Sequence, residues 1–222
     1  IETRRPSDAV ALTAAPEPQA PPVAPNEAPA AIAVVPQPVV ADAKAPAPRP
    51  VLDPRYTFDR FVVDGSNRVA FNAARALAEP GTPRFSPLFL HSGTGQGKTH
   101  LMHAIAHQFL RDHPNANVLV MSAERFMFDF VAAMRARDTF AFKQRLRSAD
   151  LLLIDDLQFI AGKDATQEEF FHTVNEIMAA GKRLVISADR CPQALDGVEA
   201  RIVSRLGVGL VADIKTPDLT LR

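Results

Sequence analysis

The chain has 222 residues, 47% of them hydrophobic, enough for one buried core, and its 25 basic residues are balanced by 25 acidic ones. A neutral chain carries no broad basic stripe, so any nucleic-acid contact must be local or come from another domain; the lone Cys191 excludes an internal disulfide and a cysteine-based zinc site. No apolar run is long enough to span a bilayer and no secretory leader opens the chain, so a cytoplasmic protein is expected.

Taken from its start, residues 1–54 hold 13 of the 19 prolines, no glycine and no aromatic residue. Such a stretch has nothing with which to nucleate a core, and its Ala, Pro and Val favour extended, polyproline-like backbone. It is expected to be a disordered Ala/Pro-rich linker, with the folded domain occupying residues 55–222. Because the sequence opens on Ile1 and closes on an apparent strand, both ends are expected to be cut points.

From Tyr56 the texture changes. Ser66 is expected to cap a helix whose apolar face carries Val69, Ala70, Ala73 and Leu77. Residues 87–91 read as a buried strand, 98–111 as a helix, 117–122 as a strand and 123–136 as a helix. The apolar run 151–154 suits a central strand covered on both faces, residues 167–180 a helix and 183–187 another strand. Strands alternating with helices predict an α/β fold, a parallel sheet between two helical layers.

Between the first of these strands and its helix lies Ser92-Gly93-Thr94-Gly95-Gln96-Gly97-Lys98-Thr99. It matches the phosphate-binding pattern G-x-x-x-x-G-K-[ST] except for Ser92, which resists positive φ and could weaken binding if the first position requires it. The glycines allow successive N–H groups to face one concavity, and the helix start adds a positive dipole end. Lys98 is expected to reach the β- and γ-phosphates of ATP or ADP, and Thr99 to ligate Mg²⁺. A metal-orienting carboxylate is expected on a neighbouring strand, and residues 151–154 run straight into Asp155 and Asp156. Asp155 would hold the Mg²⁺ shell and Asp156 would orient the attacking water. Asp189, ending the strand 183–187, falls where a γ-phosphate sensor is required, and Arg201 and Arg205 stand at i, i+4 on a short helix. In an ATPase that assembles head to tail, one arginine must reach the neighbour's site.

These pieces together resemble the DnaA family of bacterial chromosomal replication initiators, from Arg55 to Arg222. The similarity is carried by residues 55–63 (RYTFDRFVV), 97–103 (GKTHLMH), 155–163 (DDLQFIAGK), 166–175 (TQEEFFHTVN) and 213–219 (DIKTPDL). It implies a P-loop AAA+ three-layer core in which Asp189 is the first sensor, Arg205 the arginine finger and Arg201 a second arginine at the subunit contact. It also implies ATP-dependent assembly into a homo-oligomeric filament on origin DNA, duplex unwinding, and slow hydrolysis that makes ATP a switch. Residues 123–148 would be the family's extra helical element, basic through Arg135, Arg137, Lys143, Arg145 and Arg147, without an obvious aromatic stacking platform. Val131 and Lys163 would line a single-stranded DNA path.

By the same resemblance, a lid and a helix-turn-helix domain for duplex DNA would follow Arg222, a helicase-contacting domain would precede Ile1, and acidic phospholipids are a further partner. The sequence departs from the family pattern at 187–189, Ser-Ala-Asp in place of the usual Thr-Ser-Asp, and at Ala165, where some members carry a basic residue at single-stranded DNA. The competing expectations are a DnaA-like regulatory ATPase acting through the sliding clamp, a helicase loader remodelling a protein partner, and a non-hydrolysing module made inert by Ser92.

Overall fold

Leu151 to Ile154 form a strand with no exposed residue because both of its faces are covered, and this alternation organises the molecule. Leu88, Leu90, Leu151, Leu153 and Val185 face one helical layer, while Phe89, Leu152, Ile154, Leu184 and Ile186 face the other. The computed structural model describes residues 49–215, so the linker expected over residues 1–54 lies outside the described residues except for its last few.

After the entry segment (residues 49–67), helix α1 spans Arg68–Ala78, followed by strand β1 (Leu88–His91) and helix α2 (Lys98–Asp112). Strand β2 (Val118–Ser122) leads into helices α3 (Ala123–Arg135) and α4 (Thr139–Ser148), then strand β3 (Leu151–Asp155) and helix α5 (Asp164–Ala179). Strand β4 (Arg183–Ala188), helix α6 (Ala200–Leu206) and strand β5 (Leu210–Asp213) complete the described fold. The five strands pair in parallel in the order β2-β3-β4-β1-β5. Residues of α1 and α2 share one core, those of α3 to α6 the other, so the three-layer α/β architecture expected from the sequence is present.

Three local expectations are corrected. Ser66 is not the cap of α1; Asn67 holds that position, and the Asp64 carboxylate accepts the backbone N–H groups of Ser66 and Asn67 in a tight side-chain turn. Helix α5 begins at Asp164, earlier than expected, because Gly162 at φ 67° ends the preceding turn and leaves Asp164 in the first helical turn. Strand β3 is not the neighbour of β1, since β4 lies between them. The acidic strand end therefore meets the phosphate loop across the end of β4.

At the opposite end of the sheet, Arg183 is buried without a carboxylate. Its guanidinium donates to the carbonyls of Leu77, Glu79 and Gly81 at 2.8, 2.7 and 2.6 Å and lies over the Phe109 ring at 4.7 Å. These acceptors include the unpaired carbonyls at the end of α1, where a cation also meets the negative end of the helix dipole. Gly209 lies so close to the start of β1 that an added Cβ would sit 1.9 Å from the Pro87 carbonyl oxygen, and the next residue, Leu210, donates to that oxygen at 3.0 Å.

Candidate functional site

In an open parallel sheet the carboxyl ends of the strands, where connections leave to opposite faces, are the natural ligand crevice. Here they gather the loop after β1, the acids after β3 and the polar end of β4. Gly95 and Gly97 take φ of 78° and 100°, which only glycine adopts cheaply, and Ser92 does not take a positive φ. Serine at the first motif position therefore carries no left-handed backbone strain. Gly97 caps α2 without a side-chain bond, so the first N–H groups of that helix turn toward the loop. Lys98 is buried, and its Nζ donates to the carbonyls of Ser92 and Gly93 at 2.9 and 3.1 Å. Its ammonium is thus held against the first two residues of the loop, Ser92 and Gly93.

The acids form a connected set. The Thr99 hydroxyl donates to Asp155 Oδ2 at 2.7 Å, and the Ser187 hydroxyl donates to Asp155 Oδ1. Ser187, fully buried on β4, also accepts the backbone N–H of Asp156 at 3.0 Å. Asp156 sits at φ 60°, a left-handed conformation that turns its side chain out of the strand direction. Its Oδ1 accepts from Gln158 Nε2 at 3.1 Å, while Gln158 Oε1 accepts the Asp189 backbone N–H at 3.3 Å. The Asp189 carboxylate itself pairs with Arg190 at 2.9 Å.

Arg201 and Arg205 share α6 but differ in surroundings. Arg201 pairs with Glu199 and lies over Phe171 at 4.9 Å, and that carboxylate holds its guanidinium above the ordinary value. Arg205 is half-buried, and its Nε has no hydrogen-bond partner. The loop before α6 is fixed by Gln167, which donates to the carbonyls of Ile160 and Gly197 at 3.1 and 2.9 Å and accepts from Glu199 N at 2.7 Å.

The entry segment clasps α2 through three histidines spaced along one helix face. His100 Nε2 meets the Thr57 carbonyl at 2.8 Å, His103 Nδ1 accepts the Asp53 backbone N–H at 3.1 Å, and His107 Nε2 meets the Asp53 carbonyl at 2.9 Å. Tyr56 stacks on His100 with centroids 4.9 Å apart and presents its edge region to His103 at 5.5 Å. Phe61 covers Gly97, where any Cβ would approach its ring to 2.8 Å. Arg55 bonds the Asp53 carboxylate and lowers it to about 2, while burial lowers His103.

The candidate single-strand residues are more dispersed. Val131, half-buried on α3, lines a groove with Arg125, Phe128 and Arg135; Lys163 is exposed ahead of α5. Phe128 is 59% exposed within the stretch 123–148, where no aromatic platform was obvious, and Phe159 outside it is 52% exposed. Three of the five basic residues named in this stretch are paired: Lys143 with Glu169 at 2.9 Å, Arg145 with Asp129 at 3.3 Å, and Arg147 with Glu176. Sequence reasoning also missed the roles of Ser187 and Gln158, because Ser187 meets Asp155 and Asp156, and Gln158 meets Asp189, across about thirty positions that leave no local spacing to read.

Residues 52–213 match the family model described as the bacterial DnaA ATPase domain. A chromosomal replication initiator protein DnaA of Zymomonas mobilis is 64% identical over 168 residues, covering 76% of this chain and 35% of that protein. The chain thus spans about a third of that relative's length. Among solved structures, domain III of the Thermotoga maritima replication initiation protein DnaA superposes with a TM-score of 0.74 at 40% identity, covering 76% of this chain and 70% of the other. A replication initiator DnaA bound to AMPPCP and single-stranded DNA superposes with a TM-score of 0.72 at 35% identity, covering 75% and 51%.

Proposed function

The chain belongs to the bacterial DnaA ATPase-domain family, and from that premise we propose that it binds and slowly hydrolyses ATP as the switch of a chromosomal replication initiator. The observation that carries this reading is the hydrogen-bonded set Thr99, Asp155, Ser187 and Asp156 at the mouth of the Ser92–Thr99 loop. Lys98 supplies the charge for the β- and γ-phosphates, and the exposed N–H groups of the α2 start receive the remaining phosphate oxygens. The hydroxyl of Thr99 and the carboxylate of Asp155, in mutual contact, are the donor types that a phosphate-bound Mg²⁺ takes, and they would hold it. When bound, that ion would neutralise charge developing between the β- and γ-phosphates. Asp156 orients the attacking water, and Asp189 senses the γ-phosphate from the end of β4.

Arg205 is the finger that a neighbouring copy receives, supported by its unpartnered Nε, whereas Arg201 stabilises the subunit contact from its position on Glu199 and Phe171. Subunits carrying ATP assemble as a filament on origin DNA in the cytoplasm and promote unwinding. The single strand runs past Val131 and Lys163, a reading supported by likeness to the structure bound to AMPPCP and single-stranded DNA. Duplex sequence, the replicative helicase and acidic phospholipids are partners of the larger initiator, whose helicase-contacting part would be joined to this domain (residues 55–222) by the Ala/Pro-rich linker (residues 1–54). The deciding experiment is calorimetric titration with ATP in the presence and absence of Mg²⁺. Binding should be strengthened by Mg²⁺ in the parent and much less so in Asp155→Asn; equal Mg²⁺ dependence in both would remove Asp155 from the site.

A further inference from the structure

We infer that Gln158 is a positioning residue that fixes Asp156 for water activation and ties its orientation to the end of strand β4. The inference rests on the proposed role of Asp156. Gln158 lies in the short 3-10 turn Leu157–Ile160 that follows the two acids, and its amide spans two loops. Its partners determine which way that amide faces. The Asp189 backbone N–H can only donate, so the amide oxygen must face it, which leaves the NH₂ group to donate to Asp156 Oδ1. Asp156 is then held at two points, its N–H by Ser187 Oγ and its Oδ1 by Gln158, so the carboxylate is fixed with its Oδ2 left to accept from water. An amide bonded to the Asp189 backbone moves with that strand end. A shift of the sensor segment on meeting a γ-phosphate therefore reorients the water-orienting carboxylate, coupling detection of ATP to its cleavage.

The alternative, that Gln158 merely fills space in a turn, makes a different forecast. Gln158→Glu keeps the volume and the acceptor for Asp189 N–H but loses the donor and sets a second carboxylate against Asp156. If Gln158 acts through its donor, single-turnover ATP hydrolysis by the intact protein falls about tenfold or more in both Gln158→Glu and Gln158→Ala. Nucleotide dissociation constants and the melting temperature of Gln158→Glu stay near the parent values. A space-filling role predicts near-normal turnover in the isosteric Gln158→Glu, and that result overturns the inference even if Gln158→Ala proves unstable. Asp156→Asn separates the two levels of the argument. If Asp156→Asn hydrolyses ATP normally, the role of Asp156 fails and the inference with it. If Asp156→Asn is slow while both Gln158 variants are normal, only the inference fails. The double variant Asp156→Asn/Gln158→Ala should be no slower than Asp156→Asn alone, because one residue acts through the other; a multiplied loss would show that Gln158 acts elsewhere.

Discussion

Two buried cations sit at opposite ends of the sheet and do opposite work. Arg183 satisfies carbonyls at the end of α1, and removing it leaves the buried Leu77 carbonyl unpaired, at roughly 1–3 kcal/mol. Arg183→Met should therefore lower thermal stability markedly while leaving nucleotide affinity per folded molecule unchanged, as differential scanning calorimetry and titration would show together. Lys98→Ala should do the reverse, costing about 1.5–3 kcal/mol or more of nucleotide binding, at least tenfold in affinity, with little loss of fold stability. Calorimetric titration giving the same affinity for this variant and the parent would refute the assignment. The phosphate-loop pattern around Lys98 and Thr99 was legible because it declares itself by local spacing, Asp155 was read only from the apolar run that precedes it, and the structure brings Asp155 to Thr99. Arg183 read only as a strand residue, since its acceptors stand about a hundred positions away in the chain. Ser187 and Gln158 escaped because each reaches a strand end about thirty positions away.

The elements were legible wherever apolar periodicity was strong, and every expected strand and helix among the described residues is present. Strand order was not, because the position of β4 between β1 and β3 is set by which helix covers which face and not by any one segment. Nor was the clasp of the entry segment on α2, which places His103 where burial favours its neutral form. The unfolded chain protonates this histidine at its ordinary pKa of about 6.5, while the folded chain resists. Its contribution is therefore complete above about pH 6.5 and is lost as the pH falls toward the folded value. Asp53, held at about 2, stays ionised throughout and does not obscure the effect. Thermal unfolding between about pH 7.5 and about pH 5.5 should show a smaller drop in His103→Gln, whose amide oxygen can accept from Asp53 N–H without titrating. An identical drop in both proteins would exclude His103 as the cause.

At the scale of the molecule, the proposed site is assembled from several strand ends, and the proposed finger, Arg205 on α6, has an Nε without a hydrogen-bond partner. Arg205→Ala should leave ATP affinity of the single subunit nearly unchanged and abolish ATP-dependent assembly of the intact protein, and Arg205→Lys should restore little, since lysine lacks the bidentate fork. Normal assembly of the alanine variant in analytical ultracentrifugation with ATP would transfer the role to Arg201. Asp156, a methylene shorter than glutamate, should give steady-state phosphate release well below the order of 10 s⁻¹ typical of enzymes. The clasp on α2 has one more consequence, a spectroscopic one. Tyr56 is the sole tyrosine of these 222 residues and they hold no tryptophan, so their tyrosine emission originates from one ring, stacked on His100, immediately after Thr99 of the phosphate loop. The molecule carries a built-in, label-free reporter, and any nucleotide event that shifts the start of α2 against the entry segment will be written directly into its fluorescence.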